Sequence, residues 1–433
     1  MGSMLVGQGD KAYSCKYRIG TLALMLPDNE LILDYSNIVS IEKIDNYDSF
    51  TRSRLRLVLR LDIRQKIWIL KYKDEIICKF ELDKSGLNTD GENFVTGDEM
   101  CWNEDFRLYL NDDDAAIDVE LLESSIVSSG GGQFNASNIH DRSYFESDNL
   151  LEINLFNQAL VDNSNKTVNE VFTSGLLQNM VAELLTATDH EILMSPIEND
   201  TVYEELLVPK MKLYQALIYL DQSYGLYKTG AMIYYDVDIA YLLNTCEEVT
   251  AKREDEWPEC TFLVSDFSGT IPGGAMVRKQ EEETYYINVD EQNVVPKKLS
   301  ATDNETVGSI VNVITTDTTD VEQIDVDSEV ISQPNEVTIY IKKDDNKFFG
   351  TILKARMEEN ESVLYVTLIN ADITAFTPNK RYNFIFSDVT RQSNYGSHKY
   401  RLSFAYHLIN GEAQSYMESF HKLIFKSCAS SDD

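Results

Sequence analysis

Two groups of acidic residues have the spacing that a hydrolytic enzyme could use. Asp112, Asp113 and Asp114 follow a predicted strand, and Asp236 and Asp238 share one face of another predicted strand. A glycosidase needs only two carboxylates at a suitable separation, because one donates a proton while the other acts as nucleophile or base. However, aspartate is also favoured in turns, and a chain with 72 acidic side chains contains such pairs by chance. We therefore predict no catalytic residues and no enzymatic activity.

Other reactive side chains lack the spacing of a known catalytic or metal site. The histidines at positions 140, 190, 398, 407 and 421 form no HxxxH or HExxH pattern, and none of the six cysteines belongs to a CxxC pair. No GxSxG elbow is present, and neither acidic group matches the calcium loop with its central glycine and distal glutamate. His407 alternates with Arg401 and Ser403, so we expect it at an exposed strand position. The sequence predicts no metal and no cofactor.

A basic face is the stronger candidate for a functional surface. Arg54, Arg56, Arg60 and Arg64 occur at even positions of one segment in an otherwise acidic chain. One interpretation is a solvated strand face. The other is an interface between subunits, because arginine forms bidentate pairs with carboxylates and because copies of a chain with a net charge of -34 must neutralise one another locally to associate. We keep both interpretations and name these four residues as the candidate subunit interface.

The elements that carry these side chains are predicted to be strands at both ends of the chain. From residue 55 to residue 63, leucine and isoleucine occupy the odd positions and alternate with polar residues such as Arg56. From residue 402 to residue 408, the even positions are apolar and the odd positions include His407. Alternation with a period of two marks a sheet that has one packed and one wet or partner-facing side. We also assign residues 67–72 to a strand.

The middle of the chain combines helices and strands. Thr167, followed three residues later by Glu170, has the pattern of a helix N-terminus, and apolar residues at helical spacing predict a helix over 168–185. A second helix is predicted after Pro209 and ends near Gly225. Segments 260–265 and 284–289 are predicted to form a β-hairpin.

These changes in predicted secondary structure divide the chain into three predicted domains. Residues 1–164 are strand-rich, residues 165–334 form an α+β middle domain, and residues 335–433 are again strand-rich. The middle domain includes an acidic linker, because residues 299–341 contain nine acids and neither lysine nor arginine. The predicted fold class is α+β and mainly β.

The composition limits the classes of function. At 433 residues the chain is too long for one ordinary core. With 72 acidic and 38 basic side chains it repels nucleic acid, which excludes conventional DNA binding but is compatible with guiding DNA without holding it. We expect reduced cysteines in a protein made in a cytoplasm. Residues 1–10 show no signal-peptide pattern, and no apolar stretch reaches the roughly 18 residues that span a bilayer, so we expect no membrane insertion.

The layout resembles the baseplate central hub of contractile-tailed bacteriophages, a tail-tube-like hub family with relatives in other contractile injection systems. The resemblance lies in the sequence pattern of four segments, which are residues 38–82, 214–243, 376–386 and 400–408. The resemblance implies two tail-tube-like β-barrel domains, residues 1–164 and 335–433, with an α/β middle domain inserted between them. It also implies a homotrimer, in which three chains supply six barrels to a ring.

In function, the resemblance implies a structural virion protein of the bacteriophage tail baseplate that is assembled in the host cytoplasm. Such a hub joins the sixfold tail tube, or tube-initiator proteins, to the threefold central spike, and it contacts the baseplate wedge proteins. Viral DNA passes through its channel during DNA ejection without specific binding, and we expect carboxylates of the two strand-rich blocks to line that channel.

Two other interpretations remain open from the residues. A cell-wall-degrading tail enzyme would use the paired carboxylates in a concave acidic pocket. A receptor-binding virion protein would adhere to host cells and would have no central channel. A mass measurement distinguishes them, because a hub is expected to form a trimer with an axial opening.

Overall fold

The computed structural model describes sixteen segments of the chain, and the fold is given for these residues. They are residues 11–47, 53–88, 99–110, 150–164, 166–187, 191–227, 230–236, 239–244, 259–266, 276–279, 284–297, 310–316, 336–342, 362–378, 380–410 and 417–428. The candidate carboxylates Asp112, Asp113, Asp114 and Asp238 lie outside these segments, and Asp236 is described only by its backbone.

Seven strands and one helix form the N-terminal unit. They are β1 (Lys11–Leu26), β2 (Asn29–Ile32), β3 (Ile38–Asn46), β4 (Ser53–Arg60), helix α1 (Ile63–Tyr72), β5 (Ile77–Asn88), β6 (Glu99–Leu110) and β7 (Leu150–Asn157). In β4, Leu55, Leu57 and Leu59 are buried, whereas Arg54 and Arg60 are exposed. The alternation predicted for this strand is therefore confirmed.

Helix α1 occupies the segment that was predicted to be a strand over 67–72. The Asp62 carboxylate accepts hydrogen bonds from the backbone N–H groups of Arg64 at 2.8 Å and Gln65 at 2.9 Å. In return, the Gln65 side-chain oxygen accepts from the backbone N–H of Asp62 at 2.9 Å. This capping box satisfies free N–H groups and starts the helix. The strand prediction was wrong because a short apolar run does not distinguish a strand from a buried helix.

The middle unit contains two small sheets and three helices. Its elements are α2 (Gln158–Ser164), β8 (Thr167–Leu176), α3 (Leu177–Thr186), β9 (Glu191–Met194), β10 (Val202–Lys212), α4 (Leu213–Tyr224), β11 (Ala231–Asp236) and β12 (Ile239–Asn244). Strands β8 and β10 pair with each other, and β9, β11 and β12 form the second sheet. Apolar side chains of α3 and α4 pack together with β10 into one core.

The two helices predicted in this unit have different outcomes. The helix predicted over 168–185 begins only at Leu177, because the first half of that range is β8. The helix predicted after Pro209 is confirmed as α4, and it ends at Gly225, whose φ of 73° favours glycine. Within the described segments, no helix is long and apolar enough to cross a lipid bilayer.

The remaining strands belong mostly to the C-terminal unit. The elements are β13 (Glu259–Ser265), β14 (Met276–Lys279), β15 (Thr284–Asp290), β16 (Val294–Lys297), β17 (Ile310–Thr316), β18 (Glu336–Lys342), β19 (Val363–Ile369), β20 (Arg381–Phe386), α5 (Val389–Tyr395), β21 (Tyr400–Asn410) and β22 (Glu418–Ser427). We define the C-terminal unit as β13–β16, β19–β22 and α5, because β17 and β18 form a separate parallel pair. The hairpin expected over 260–265 and 284–289 is wrong, because β13 and β15 run parallel.

A β-bulge in β21 reverses the faces that were predicted for this strand. The register with β22 shifts between Leu402 and Phe404. Beyond the shift, Ala405, His407 and Ile409 are the buried residues. One extra residue in a strand moves every later side chain to the other face. The expectation that His407 is exposed was therefore wrong.

One continuous sheet joins the N-terminal and C-terminal units. Its strand order is β16-β19-β22-β21-β20-β13-β15-β14-β1-β5-β6-β7-β4-β3, with β2 beside β1 and a further pairing of β21 with β3. Strand β21 pairs with β20 at its start and with β3 from Phe404 to Asn410. A single hydrophobic core contains residues of both units. The prediction of a mainly β fold is confirmed.

Candidate functional site

Arg56 lies at the centre of the predicted basic face and is held by carboxylates on both neighbouring strands. Its guanidinium donates to Glu42 of β3 at 3.2 and 3.3 Å, and to Glu152 of β7. These hydrogen bonds raise the pKa of Arg56 above its usual value, with Glu152 contributing most, while burial acts in the opposite direction. Arg56 therefore fastens three strands to one another, and its charge is balanced within the chain.

The other three arginines of the face are exposed. The Arg54 Nε donates to the side-chain oxygen of Asn154 on β7 at 3.0 Å, and Arg60 is the last residue of β4. Arg64 does not lie on the strand, since it occupies the first turn of α1. The structure thus brings Arg54, Arg56 and Arg60 together on one face of β4 and places Arg64 on the adjoining helix.

A second set of polar residues lies at the junction between the N-terminal and C-terminal units. The buried Tyr17 hydroxyl donates to the carbonyl oxygen of Ala371 at 2.6 Å and accepts from the backbone N–H of Ile373 at 2.9 Å. Tyr17 and Met417 also exchange backbone hydrogen bonds at 3.0 and 2.7 Å. Burial raises the pKa of Tyr17, so the hydroxyl keeps its proton and remains a donor.

A buried ion pair crosses the same junction. The Lys84 ammonium on β5 lies 2.9 Å from a carboxylate oxygen of Asp372 and donates to the Thr374 hydroxyl at 2.8 Å. The other carboxylate oxygen of Asp372 accepts from the hydroxyl and the backbone N–H of Thr374, at 2.6 and 3.0 Å. A buried pair with its hydrogen bonds satisfied strongly disfavours any arrangement that separates the two charges.

Two buried histidines complete the junction. His407 on β21 lies opposite Lys43 of β3 and opposite His421 of β22. The Nδ1 atoms of the two rings are 2.7 Å apart, and the Nε2 atom of His421 is 2.7 Å from the Ser419 hydroxyl. Burial, helped by the charge of Lys43, lowers the pKa of His407 to about 3. Burial and the neighbouring His407 also lower the pKa of His421. Both rings are therefore neutral at neutral pH, and one Nδ1 donates to the other.

Chemical reactivity is low among the side chains that the structure describes. They include no group of three or more histidine, cysteine or acidic side chains that could hold a metal ion. Burial raises the pKa of the Cys101 and Cys260 thiols to about 12. Because the thiolate is the nucleophile, these cysteines are inert at neutral pH. The described contacts of the junction hold the two β units together.

The sequence reasoning missed the junction residues Tyr17, Lys84, Asp372 and His421. One pattern could have indicated His421, which alternates with Leu423 and Phe425 at the buried positions of β22. The pairing of Lys84 with Asp372 joins residues 288 positions apart. No local spacing predicts such a contact.

Comparisons with known proteins place the chain beside bacteriophage proteins. The profile of the family described as "Bacteriophage PBS1 gene 109 protein" matches residues 12–427. No curated protein sequence matches the chain.

Several solved structures are similar at low sequence identity. The tail protein from Neisseria meningitidis MC58 is 10% identical, with 96% of this chain and 96% of that chain covered and a TM-score of 0.46. The 43 kDa tail protein of prophage MuSo2 from Shewanella oneidensis is 8% identical, with 93% and 96% covered and a TM-score of 0.45. A chain of the lidded Francisella PdpA-VgrG complex is 7% identical, with 95% of this chain and 53% of that chain covered and a TM-score of 0.45.

Proposed function

The chain belongs to the Bacteriophage PBS1 gene 109 protein family, and on that premise we propose that it is the structural hub of a phage tail baseplate. The resemblance to a bacteriophage protein family that the sequence predicted is confirmed by this membership. In the proposed assembly, three copies form a ring of six β units with pseudo-sixfold symmetry. The ring joins the tail tube or its initiator proteins to the central spike, is surrounded by wedge proteins, and provides a channel for DNA.

The observation that carries the proposal is the pairing of β3 with β21. This pairing, together with that of β1 with β14, joins the N-terminal unit to the C-terminal unit within one chain. A ring of six units needs six such junctions, of which three lie within chains and three between chains. In the proposal each unit is one tube-like barrel, and the contact between chains is similar to the junction inside the chain.

The exposed arginines Arg54, Arg60 and Arg64 are proposed to lie at the contact between chains. Arg56 is already paired with Glu42 and Glu152, so its role is to hold β4 to the two neighbouring strands. Copies of a chain with a net charge of -34 repel one another. Guanidinium groups that meet carboxylates of the next copy reduce this repulsion where the two surfaces touch.

The remaining acidic charge fits the proposed channel. A lumen lined with carboxylates repels the phosphates of passing DNA and prevents the DNA from binding to the wall. Under this proposal the acids of the N-terminal and C-terminal units face the lumen, and the middle unit lies away from it.

Mass measurement of the purified chain, alone and mixed with the spike protein of the same virion, tests the proposal. A hub gives a particle of about 148 kDa, three times the 49.4 kDa of one chain, and electron microscopy of that particle shows an axial opening. A monomer in both samples contradicts the proposal. Release of sugars or peptides from cell walls by that monomer would instead identify a tail enzyme.

A further inference from the structure

The two-stranded sheet of β8 and β10 exposes apolar side chains on the middle unit, and we name these two strands the ribbon. Val171 and Leu207 lie opposite each other, as do Leu176 and Val202. Their exposed fractions are 60% and 55% for the first pair, and 40% and 64% for the second. Four of the thirteen large apolar side chains that are exposed in the described segments thus belong to two neighbouring strands. Val171 and Leu207 point to one face of the ribbon, whereas Leu176 and Val202, an odd number of positions away, point to the face that also carries Leu206 and Val208. The exposed apolar pair of Val171 and Leu207 is therefore the candidate interaction site.

The opposite side of the ribbon is firmly packed. Leu206 and Val208 of β10 are fully buried against α3 and α4. The buried Asn199 fixes the loop before β10, because its side-chain nitrogen donates to the carbonyl oxygens of Tyr224 and Gly225, each at 2.9 Å. The ribbon is therefore held in place before any partner arrives, which lowers the entropy cost of binding.

The outer edge of β8 is open to a further strand. In the described part of the chain β8 pairs only with β10, and its ten residues include no proline. The outer edge of β10 is less suitable, because Pro209 has no N–H to donate. A strand that adds to β8 would place a side chain about 5 Å from Val171 and would extend the apolar row that starts at Leu207.

The charges around the ribbon indicate the chemistry of its partner. At the end near Val202, four of the exposed side chains are acidic: Glu198, Asp200, Glu204 and Glu205. We name these four residues the acidic end. Ribbon-to-ribbon contact with a second copy of this chain would bring two acidic ends together and would be repelled. A segment with lysine or arginine beside apolar residues is complementary to it.

We infer that the ribbon is a docking site for an extended, basic segment of a partner protein, which pairs with the open edge of β8. The apolar side chains of the partner pack beside Val171 and Leu207, and its basic side chains lie at the acidic end. Backbone hydrogen bonds supply affinity in this mode of recognition, while the side chains supply specificity. The inference does not depend on the ring proposed above, since a monomer presents the same ribbon.

Binding of a designed peptide to the full chain tests this inference. The probe is a fluorescent peptide of alternating valine and threonine with lysines at both ends, and binding is followed by fluorescence anisotropy. We expect saturable binding and slowed amide hydrogen exchange in β8. The double variant Val171→Asp/Leu207→Asp should weaken binding at least about tenfold, because it puts two charges into the apolar row.

Three controls separate the proposed mode from unspecific attraction. Ile32→Asp alters another exposed strand residue, with an exposed fraction of 64%, and should leave binding unchanged. A peptide with glutamates in place of lysines, and one with N-methylated backbone nitrogens, should bind at least about tenfold more weakly. Equal binding of the lysine and glutamate peptides, unchanged binding to the double variant, or no binding of the lysine peptide would overturn the inference. The milder variant Val171→Thr/Leu207→Thr keeps the strand propensity and should also weaken binding if the double aspartate variant does not fold.

Discussion

The Nδ1 atoms of His407 and His421 lie 2.7 Å apart, at a position that solvent does not reach. The two rings come from neighbouring strands of the C-terminal unit, and Lys43 and Asp45 face His407 from β3 of the N-terminal unit. Ser419 and the backbone of Ala371 contact His421 from the other sides. This hydrogen bond requires that at least one ring is neutral, and burial keeps both rings neutral.

We predict that the histidine pair makes the fold sensitive to mild acid. Burial lowers both pKa values, that of His407 from 6.5 to about 3. Between these pH values the unfolded chain binds protons that the folded chain does not. The stability that depends on His407 is therefore complete above about pH 6.5 and is lost as the pH falls toward about 3, by about 1.4 kcal/mol per pH unit, and His421 adds a loss in the same direction.

Urea unfolding at pH 7 and pH 5 measures this effect. The variant His407→Gln lacks one of the two titrating groups. Between pH 7 and pH 5, the free energy of unfolding of the natural chain should therefore decrease by about 2 kcal/mol more than that of the variant. His398→Gln makes the same substitution at an exposed histidine and controls for the loss of a histidine side chain. If His407→Gln and the natural chain lose equal stability, the pair is not the source of the sensitivity.

The second prediction concerns the buried ion pair of Lys84 and Asp372. Lys84→Met leaves the Asp372 carboxylate buried without its cation, and we expect a loss of about 3 kcal/mol in the free energy of unfolding. Adding Asp372→Asn removes the charge but keeps an oxygen for the Thr374 N–H, so the double variant should recover at least about 1 kcal/mol. Chemical denaturation of the three proteins gives these differences.

The pair of Lys79 and Glu81 on the same strand, which is partly exposed, is the matched control. Lys79→Met should change stability by no more than about 0.5 kcal/mol, because solvent already screens that pair. A Lys84→Met variant as stable as the Lys79→Met variant would show that the ion pair does not hold the two units together.

The third prediction concerns the capping residue of α1. Asp62→Ala removes the acceptor for the N–H groups of Arg64 and Gln65 and should cost about 1 kcal/mol. Asp62→Asn keeps an acceptor at the same position and should cost only a few tenths of that amount, roughly 0.3 kcal/mol. Asp62 is exposed, so neither variant disturbs the core. Equal thermal stability of the two variants would contradict the role of the cap.

The capping boxes show where local sequence predicts this fold and where it does not. Asp62 and Gln65 form a capping box in front of a segment that was predicted to be a strand. Thr167 and Glu170 have the same spacing, yet they lie in β8, where Thr167 pairs with Lys212 and Glu170 pairs with Val208 of β10. Tertiary pairing decides between the two outcomes, because a capping pattern contributes only about 1 kcal/mol.

Only part of the candidate site was predictable from the sequence, because local patterns do not encode contacts between distant segments. The alternation that places Arg54 and Arg60 on an exposed face of β4 was read correctly, since the strand runs without a bulge there. In β21 the bulge before Phe404 reversed the faces and concealed His407. The ion pair of Lys84 with Asp372 depends on the folding of two units against each other, which no local pattern encodes.

The last prediction concerns the proposed contact between chains. The double variant Arg54→Glu/Arg60→Glu replaces two exposed cations of β4 by anions, so carboxylates of the next copy should be repelled and the trimer should dissociate to a monomer with a third of its mass. Arg56 is left unchanged because it holds Glu42 and Glu152 within the sheet. Sedimentation velocity measures the mass, and circular dichroism verifies that the variant folds. Lys399→Glu reverses an exposed charge on the loop before β21 and should leave the trimer intact. A double variant that remains a trimer would show that this face lies outside the contact.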